Sequence, residues 1–156
     1  MLVGVISDSH DNVPKLCAAV DLLRRQGARH LIHAGDYVAL FAVKVLTQSG
    51  LPFTGVFGNN DGETEGIHVL TKDIHLSPYR LDLAGRRIVI AHDLSKLPAD
   101  ARGDADVIVF GHTHQVLVEK GPPLLLNPGE CCGWVTGKST VALLDTESLD
   151  VSILEV

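Results

Sequence analysis

Two rhythms of apolar and polar positions divide the chain. "LVGVIS" (Leu2 to Ser7) is an apolar run of strand length. In "NVPKLCAAVDLLRRQG", Val13, Leu16, Cys17, Val20 and Leu23 recur at helical spacing. Asn12 can cap that helix and Gly27 can close it, which places Cys17 on the apolar face as a small core residue. "RHLIHAG" reads as a second strand, "VALFAVKVLTQSG" as a second helix ending at Gly50, and "PFTGVFG" as a third strand. A strand–helix–strand–helix–strand opening predicts parallel pairing with right-handed crossovers.

Beyond residue 70 the helical period is lost. "HLSPYRLDLAGRRIVIAHD" predicts two strands joined at Ala84-Gly85, and "ADVIVFG" a buried strand. "HQVLVEKGPPLLLN" predicts a second hairpin at Gly121-Pro122, and "STVALLDTESLDVSILEV" two final strands. So many strands exceed what one doubly wound sheet accommodates. The expected architecture is an α/β sandwich, with two sheets face to face and helices outside. No repeat, low-complexity segment or linker interrupts it, so a single domain over residues 1–156 is expected.

Five apolar strands end in polar clusters of one restricted kind: "VISDSH", "LIHAGD", "GVFGNND", "IVIAHD" and "VIVFGHTH". In open α/β sheets, ligands bind outside the carboxyl ends of the strands, so these tips are expected to converge on one crevice. Asp8 and His10, like His112 and His114, lie two residues apart and are expected on one side of an extended segment. Singly, each cluster has a plainer reading: Asp-Ser-His as a helix-capping turn, Gly-Asn-Asn-Asp as a loop, His92 as a hydrogen-bonded loop histidine. Five in succession at strand ends favour a shared centre. Imidazoles, carboxylates and an amide oxygen without thiolates suit Mn²⁺, Fe²⁺, Ni²⁺, Zn²⁺ or Co²⁺ in a catalytic role. Six or seven ligands are more than one ion needs. The surplus implies two ions sharing a carboxylate, an arrangement that generates a hydroxide nucleophile and clamps both oxygens of a phosphoryl displacement.

Charge narrows the substrate. The formal net charge is −6 and no Lys/Arg-rich block occurs, which argues against an extended nucleic-acid-binding surface. No apolar run approaches the about 18 residues of a membrane span, and the N-terminal "MLVGVISDSH" has no basic n-region, so it reads as a strand and not as a signal peptide. Three cysteines, Cys17 and the pair Cys131-Cys132, make no disulfide framework or zinc knuckle. A cytoplasmic location follows as the expectation. Cys131 and Cys132 read as buried small residues near the crevice, His33 as a structural histidine, and His30, His68 and His75 as structural or solvated.

The order Asp8-x-His10, Gly35-Asp36, Gly58-Asn59-x-Asp61, His92, Gly111-His112-x-His114 resembles the calcineurin-like metallophosphoesterases. The short chain and "NPGE" (Asn127 to Glu130) are similar to the small phosphodiesterases of bacteria and archaea, and the resemblance spans residues 5 to 130. It implies a four-layer α/β/β/α sandwich of two mixed sheets flanked by helices. It also implies two divalent ions per chain, Mn²⁺ first, with Ni²⁺, Fe²⁺, Zn²⁺, Co²⁺ or Mg²⁺ as alternatives. Asp8, His10 and His114 are then expected on one ion, Asn59, His92 and His112 on the other, and Asp36 between them. Asn60 and Asp61 fall at the catalytic positions, Asp61 matching an acid that supports residue 60 by hydrogen bonding. Many relatives carry a proton-donating His at position 60, and the small branch often Cys. Asn60 can donate a hydrogen bond but cannot usefully transfer a proton.

The implied activity is hydrolysis of small or nucleotide-like phosphodiesters by metal-activated hydroxide attack, with no membrane partner and with a homo-oligomer left open. One alternative is a scaffold like the retromer subunit of this family, with a vestigial metal site; it predicts missing ligands, whereas all seven positions are filled. The other is a phosphomonoesterase, which would rely on the general-acid histidine and on added arginines that this chain lacks at those positions.

Overall fold

The computed structural model describes residues 1–156. In chain order the elements are β1 (Leu2–Ile6), α1 (Val13–Arg25), β2 (His30–His33), α2 (Leu40–Thr47), β3 (Phe53–Val56), α3 (Thr64–Leu70) and β4 (Ile74–His75). They continue as β5 (Tyr79–Leu83), β6 (Arg86–Ile90), a 3₁₀ turn at Leu94–Lys96, α4 (Ala99–Arg102) and β7 (Val107–Val109). The chain closes with β8 (Val116–Glu119), β9 (Leu124–Pro128), β10 (Thr140–Asp145) and β11 (Val151–Glu155).

The expected opening holds. β1, β2 and β3 pair in parallel, β4 extends them, and β10 and β11 add antiparallel on the other side, giving the order β11-β10-β1-β2-β3-β4. The second sheet runs β5-β6-β7-β9-β8, parallel across β6-β7-β9 and antiparallel in its two hairpins. Both sheets are therefore mixed.

Strand alternation sorts the core into layers. From β1, Val3 and Val5 face the second sheet and meet Ile88, Ile90, Val107, Val109, Leu124 and Leu126. Ile6 faces the helices and packs with Leu16, Leu23 and Leu46. Gly4 shares that helical side, where an added Cβ would lie 2.7 Å from Leu23, so its missing side chain lets α1 sit close to β1. On the far face of the second sheet, Val89, Ala91, Ile108 and Phe110 are covered by Leu97 and by Ala101 of α4. The result is an α/β/β/α sandwich whose second outer layer is only the 3₁₀ turn and one turn of helix.

One reading of the first helix changes. Asn12 does cap α1, its side chain accepting from the Lys15 amide. Cys17, however, is exposed. The buried stripe is Leu16, Ala19, Val20 and Leu23, and at about 100° per residue Cys17 falls beside it. The segment after Gly62 also holds α3, which sequence periodicity does not announce because Ile67 is its one buried residue.

Candidate metal centre

The carboxyl ends of β1, β2, β3, β6 and β7 bring the seven sequence-predicted ligands to one crevice at the edge between the two sheets. Asp8 (0% exposed) and Asp36 (1%) form its floor, with His92 (3%) beside them. His10 and His114 are half-buried, and Asn59 and His112 stand exposed at the mouth.

Distances divide the residues into two halves that meet at Asp36. On one side His10 Nε2 lies 3.9 Å from Asp8 Oδ1, and His114 Nε2 lies 3.5 Å from the same oxygen. On the other, His92 Nε2 and His112 Nδ1 approach Asn59 Oδ1 at 3.0 and 2.9 Å. Asp36 Oδ2 is 3.5 Å from His10 Nε2 and 3.4 Å from His92 Nε2, so it touches both halves.

The backbone that delivers these groups is not the extended one expected from i, i+2 spacing. Asp8 (φ 51°), His10 (φ 40°), Asp36 (φ 60°), His112 (φ 69°) and His114 (φ 60°) all occupy the left-handed region, as does β-branched Val38 (φ 77°). Such conformations are uncommon for residues with a Cβ and cluster where function over-determines the backbone. The chain coils at each strand end, and this, not pleat alternation, turns both members of each pair into the crevice. Two glycines allow the strand ends to close in. A Cβ on Gly58 would fall on the Asp36 carboxylate, and one on Gly111 on Ser7 Oγ and Asp8 Oδ2.

The electrostatics favour cations. Among charged or titratable side chains, Asp8 and Asp36 have only histidines as ion-pair partners, although buried carboxylates are costly unless paired or coordinated to metal. Burial pushes the Asp8 carboxyl up, and a 2.6 Å hydrogen bond from Ser7 Oγ only partly offsets it. For Asp36, burial works in the same direction, but bonds from His92 and from the Asn60 amide and side chain hold it well below the usual carboxylate range. Asp36 is thus kept ionised between the two halves. His92 is pulled down by burial, and its contacts with Asp36 more than offset this. The buried His10 Nε2 has no hydrogen-bond partner although two carboxylates face it, which leaves its lone pair free for an ion. Three clusters, Asp8/His10/His114, Asp8/Asp36/His92 and His114/Glu130/Cys132, each hold their ligand atoms within 4.8 Å of one another. The donor set fits divalent transition ions.

Asp61 is placed differently from the expectation. Asn60 donates from its backbone N to Asp36 Oδ1 (2.9 Å) and from Nδ2 to Asp36 Oδ2 (2.7 Å). Asp61 gives Asn60 no hydrogen bond. Its carboxylate accepts instead from the amides of Asp36 (3.0 Å), Val38 (2.7 Å) and Gly58 (2.7 Å), clamping the ends of β2 and β3 together. The acceptor sites of the Asp61 carboxylate are taken up by these three amides, and the hydrogen bonds of position 60 run to Asp36 instead. His33 is buried and structural as expected, linking Ser9 Oγ (3.0 Å) and the Gly35 amide (3.2 Å).

Glu130 is the residue that sequence reasoning missed. It is 1% exposed, and its Oε2 lies 2.8 Å from His114 Nδ1 and 3.1 Å from Cys132 Sγ. The amides of Val135 and Thr136 and the Thr136 hydroxyl also donate to it. Burial opposes its charge, yet the His114 and Thr136 bonds bring its pKa down to about 2. An ionised carboxylate only accepts, so His114 Nδ1 donates to it, which turns Nε2 toward Asp8. Cys131 and Cys132 are buried, with thiols pushed up to about 12 by burial. Neither is a nucleophile at neutral pH. A cavity of about 230 Å³ opens beside Asn59 and His92, with Lys96 at its wall.

The fold and this site define a phosphoesterase class. Residues 1–149 match the calcineurin-like phosphoesterase superfamily domain, and the chain belongs to that superfamily. It is 35% identical to a phosphodiesterase of Methanocaldococcus jannaschii over 156 residues, 94% of each chain. It is 31% identical to a probable metallophosphoesterase of Methanothermobacter thermautotrophicus, covering 99% of this chain and 92% of that one. A solved archaeal phosphodiesterase superposes with a TM-score of 0.90 at 30% identity, with both chains covered completely. No helix is long and apolar enough to cross a membrane.

Proposed function

We propose that the chain is one metallophosphoesterase domain over residues 1–156 and a phosphodiesterase for small or nucleotide-like diesters, with a dinuclear centre, Mn²⁺ foremost. Asp8, His10 and His114 would hold one ion and Asn59, His92 and His112 the second, with Asp36 placed to serve both. The observation that carries this reading is the Asp36 carboxylate, kept charged and within 3.5 Å of a histidine from each half. Two bound ions would supply Lewis acidity for the phosphate oxygens and a water acidic enough to attack phosphorus near neutral pH.

The chain's own groups do the rest. Glu130 and the Ala34 carbonyl, 2.8 Å from His92 Nδ1, fix two imidazoles with their Nε2 atoms toward the crevice. Ser7 Oγ and the His112 amide (3.1 Å) orient Asp8. Asn60 holds Asp36 ionised and leaves no titrating proton donor at its own position. Similarity to an archaeal phosphodiesterase, in sequence and in structure, supports diesters over monoesters, and a cytoplasmic location fits the unpaired cysteines.

The test is hydrolysis of bis(p-nitrophenyl) phosphate by Mn²⁺-loaded protein. His112→Ala and Asn59→Ala are each expected to abolish turnover while circular dichroism stays unchanged. Wild-type protein inert with every divalent metal tried would favour the scaffold reading.

A further inference from the structure

Trp134 is the one tryptophan in the chain, and it is 64% exposed. Its segment is nevertheless tightly held. On its N-terminal side, the amides of Cys131 and Cys132 donate to the carbonyls of Ser7 (2.9 Å) and Asp8 (3.1 Å), and Asn12 Nδ2 donates to the Cys132 carbonyl (2.9 Å). On its C-terminal side, Val135 N donates to the buried Glu130 carboxylate at 3.0 Å. The backbone is thus pinned from both directions, to the end of β1, to the cap of α1 and to Glu130. The ring lies 6.3 Å from the His10 ring, centroid to centroid and tilted by 37°, and His10 in turn lies 5.1 Å from His114.

A large indole left bare on a fixed backbone, beside a residue that faces Asp8 and Asp36, is a ready surface for another ring. Rings stack on aromatic faces whatever their substituents, and a support already ordered loses little entropy on binding. An aliphatic group gains only contact area there. We propose that Trp134 is a stacking platform for an aromatic group, an aryl or nucleobase ring, carried by the phosphate ester bound at the adjacent centre. This deepens the phosphodiesterase reading and rests on it.

Trp134 also supplies the probe, since all tryptophan emission comes from it. Mn²⁺-loaded protein is titrated with adenosine 5′-monophosphate and, separately, with methyl phosphate, which has the same headgroup and no ring. Saturable quenching is expected with the nucleotide and little change with methyl phosphate. By calorimetry the nucleotide should bind roughly tenfold or more tightly than methyl phosphate, the range of one stacked base. Trp134→Ala should remove that difference, and Trp134→Phe should keep most of it; an exposed ring leaves the fold intact in both. For bis(p-nitrophenyl) phosphate the alanine change should appear mainly in KM.

Equal affinity of wild-type protein for the two ligands overturns the proposal, as does a preference that survives in Trp134→Ala. Emission that follows protein concentration and ignores the nucleotide also overturns it, and marks the ring as a contact between copies of the chain. Failure to hydrolyse any diester sinks the broader reading instead, and it is scored separately because the binding experiment requires no turnover.

Discussion

Asn60 is the residue at which this chain parts most clearly from an enzyme with a dedicated proton donor. Both of its N–H groups that contact Asp36 serve to keep that carboxylate charged, so in the proposed reaction the leaving oxygen departs with little help. Rates for a series of diesters are therefore expected to fall steeply as the leaving-group pKa rises. Asn60→His should flatten that dependence, raising alkyl diesters by on the order of tenfold or more and aryl diesters least, since a positioned general acid contributes about 10²–10⁴-fold. A flat wild-type profile would mean that another group already delivers the proton. Glu130 carries the second expectation at this scale. Glu130→Ala frees His114 Nδ1 and should weaken metal binding about 10–100-fold, read by competition with a chelating dye; unchanged affinity would contradict the orienting role. The seven proposed ligands were legible because each stands at the end of an apolar run. Glu130 was not, because its partner His114 lies 16 residues away across the β8–β9 hairpin. The acid after "NPG" was the only hint.

Strand ends show why pattern reaches the right residues by an incomplete route. Period-two spacing predicted that Asp8 and His10 would share a side, and they do share the crevice, yet through left-handed residues. Glycine advertises such a backbone in a sequence far more strongly than Asp or His, which adopt it where the surroundings hold them there. Asp61 provides part of that hold. With three amides converging on its carboxylate, Asp61→Ala orphans buried donors at about 1–3 kcal/mol. At about 2–4 °C per kcal/mol for a chain of this size, the melting temperature should drop by several degrees, and metal occupancy should fall with it. His33 adds a pH dependence. Burial lowers its pKa from 6.5 to about 3, although Asp36 opposes the shift. Below pH 6.5 the unfolded chain takes up a proton that the folded chain refuses, so stability is full above that pH. It is lost as pH falls toward 3, with a slope of at most about 1.4 kcal/mol per pH unit. Denaturant titrations of chelator-treated protein between pH 7 and 4.5 should show this slope, and His33→Gln should reduce it. Parallel slopes in the two proteins would contradict the assignment.

At the scale of the whole molecule, the sandwich was readable from the strand–helix opening and from the number of strands after residue 70, too many for one doubly wound sheet. What escaped was thickness: nothing in the sequence showed that the layer outside the second sheet would shrink to α4 and a 3₁₀ turn. The two sheets matter to function because β1, β2 and β3 present one set of side chains and β6 and β7 another, with Asp36 reaching both. The number of ions per chain, and its dependence on Asp36, therefore tests the account most directly. Elemental analysis of protein purified without chelator should find close to two transition ions per chain, and Asp36→Ala, folded by circular dichroism, should lose most of both. A variant that keeps its full complement, or a wild-type protein that saturates at one ion, would contradict a centre bridged by Asp36.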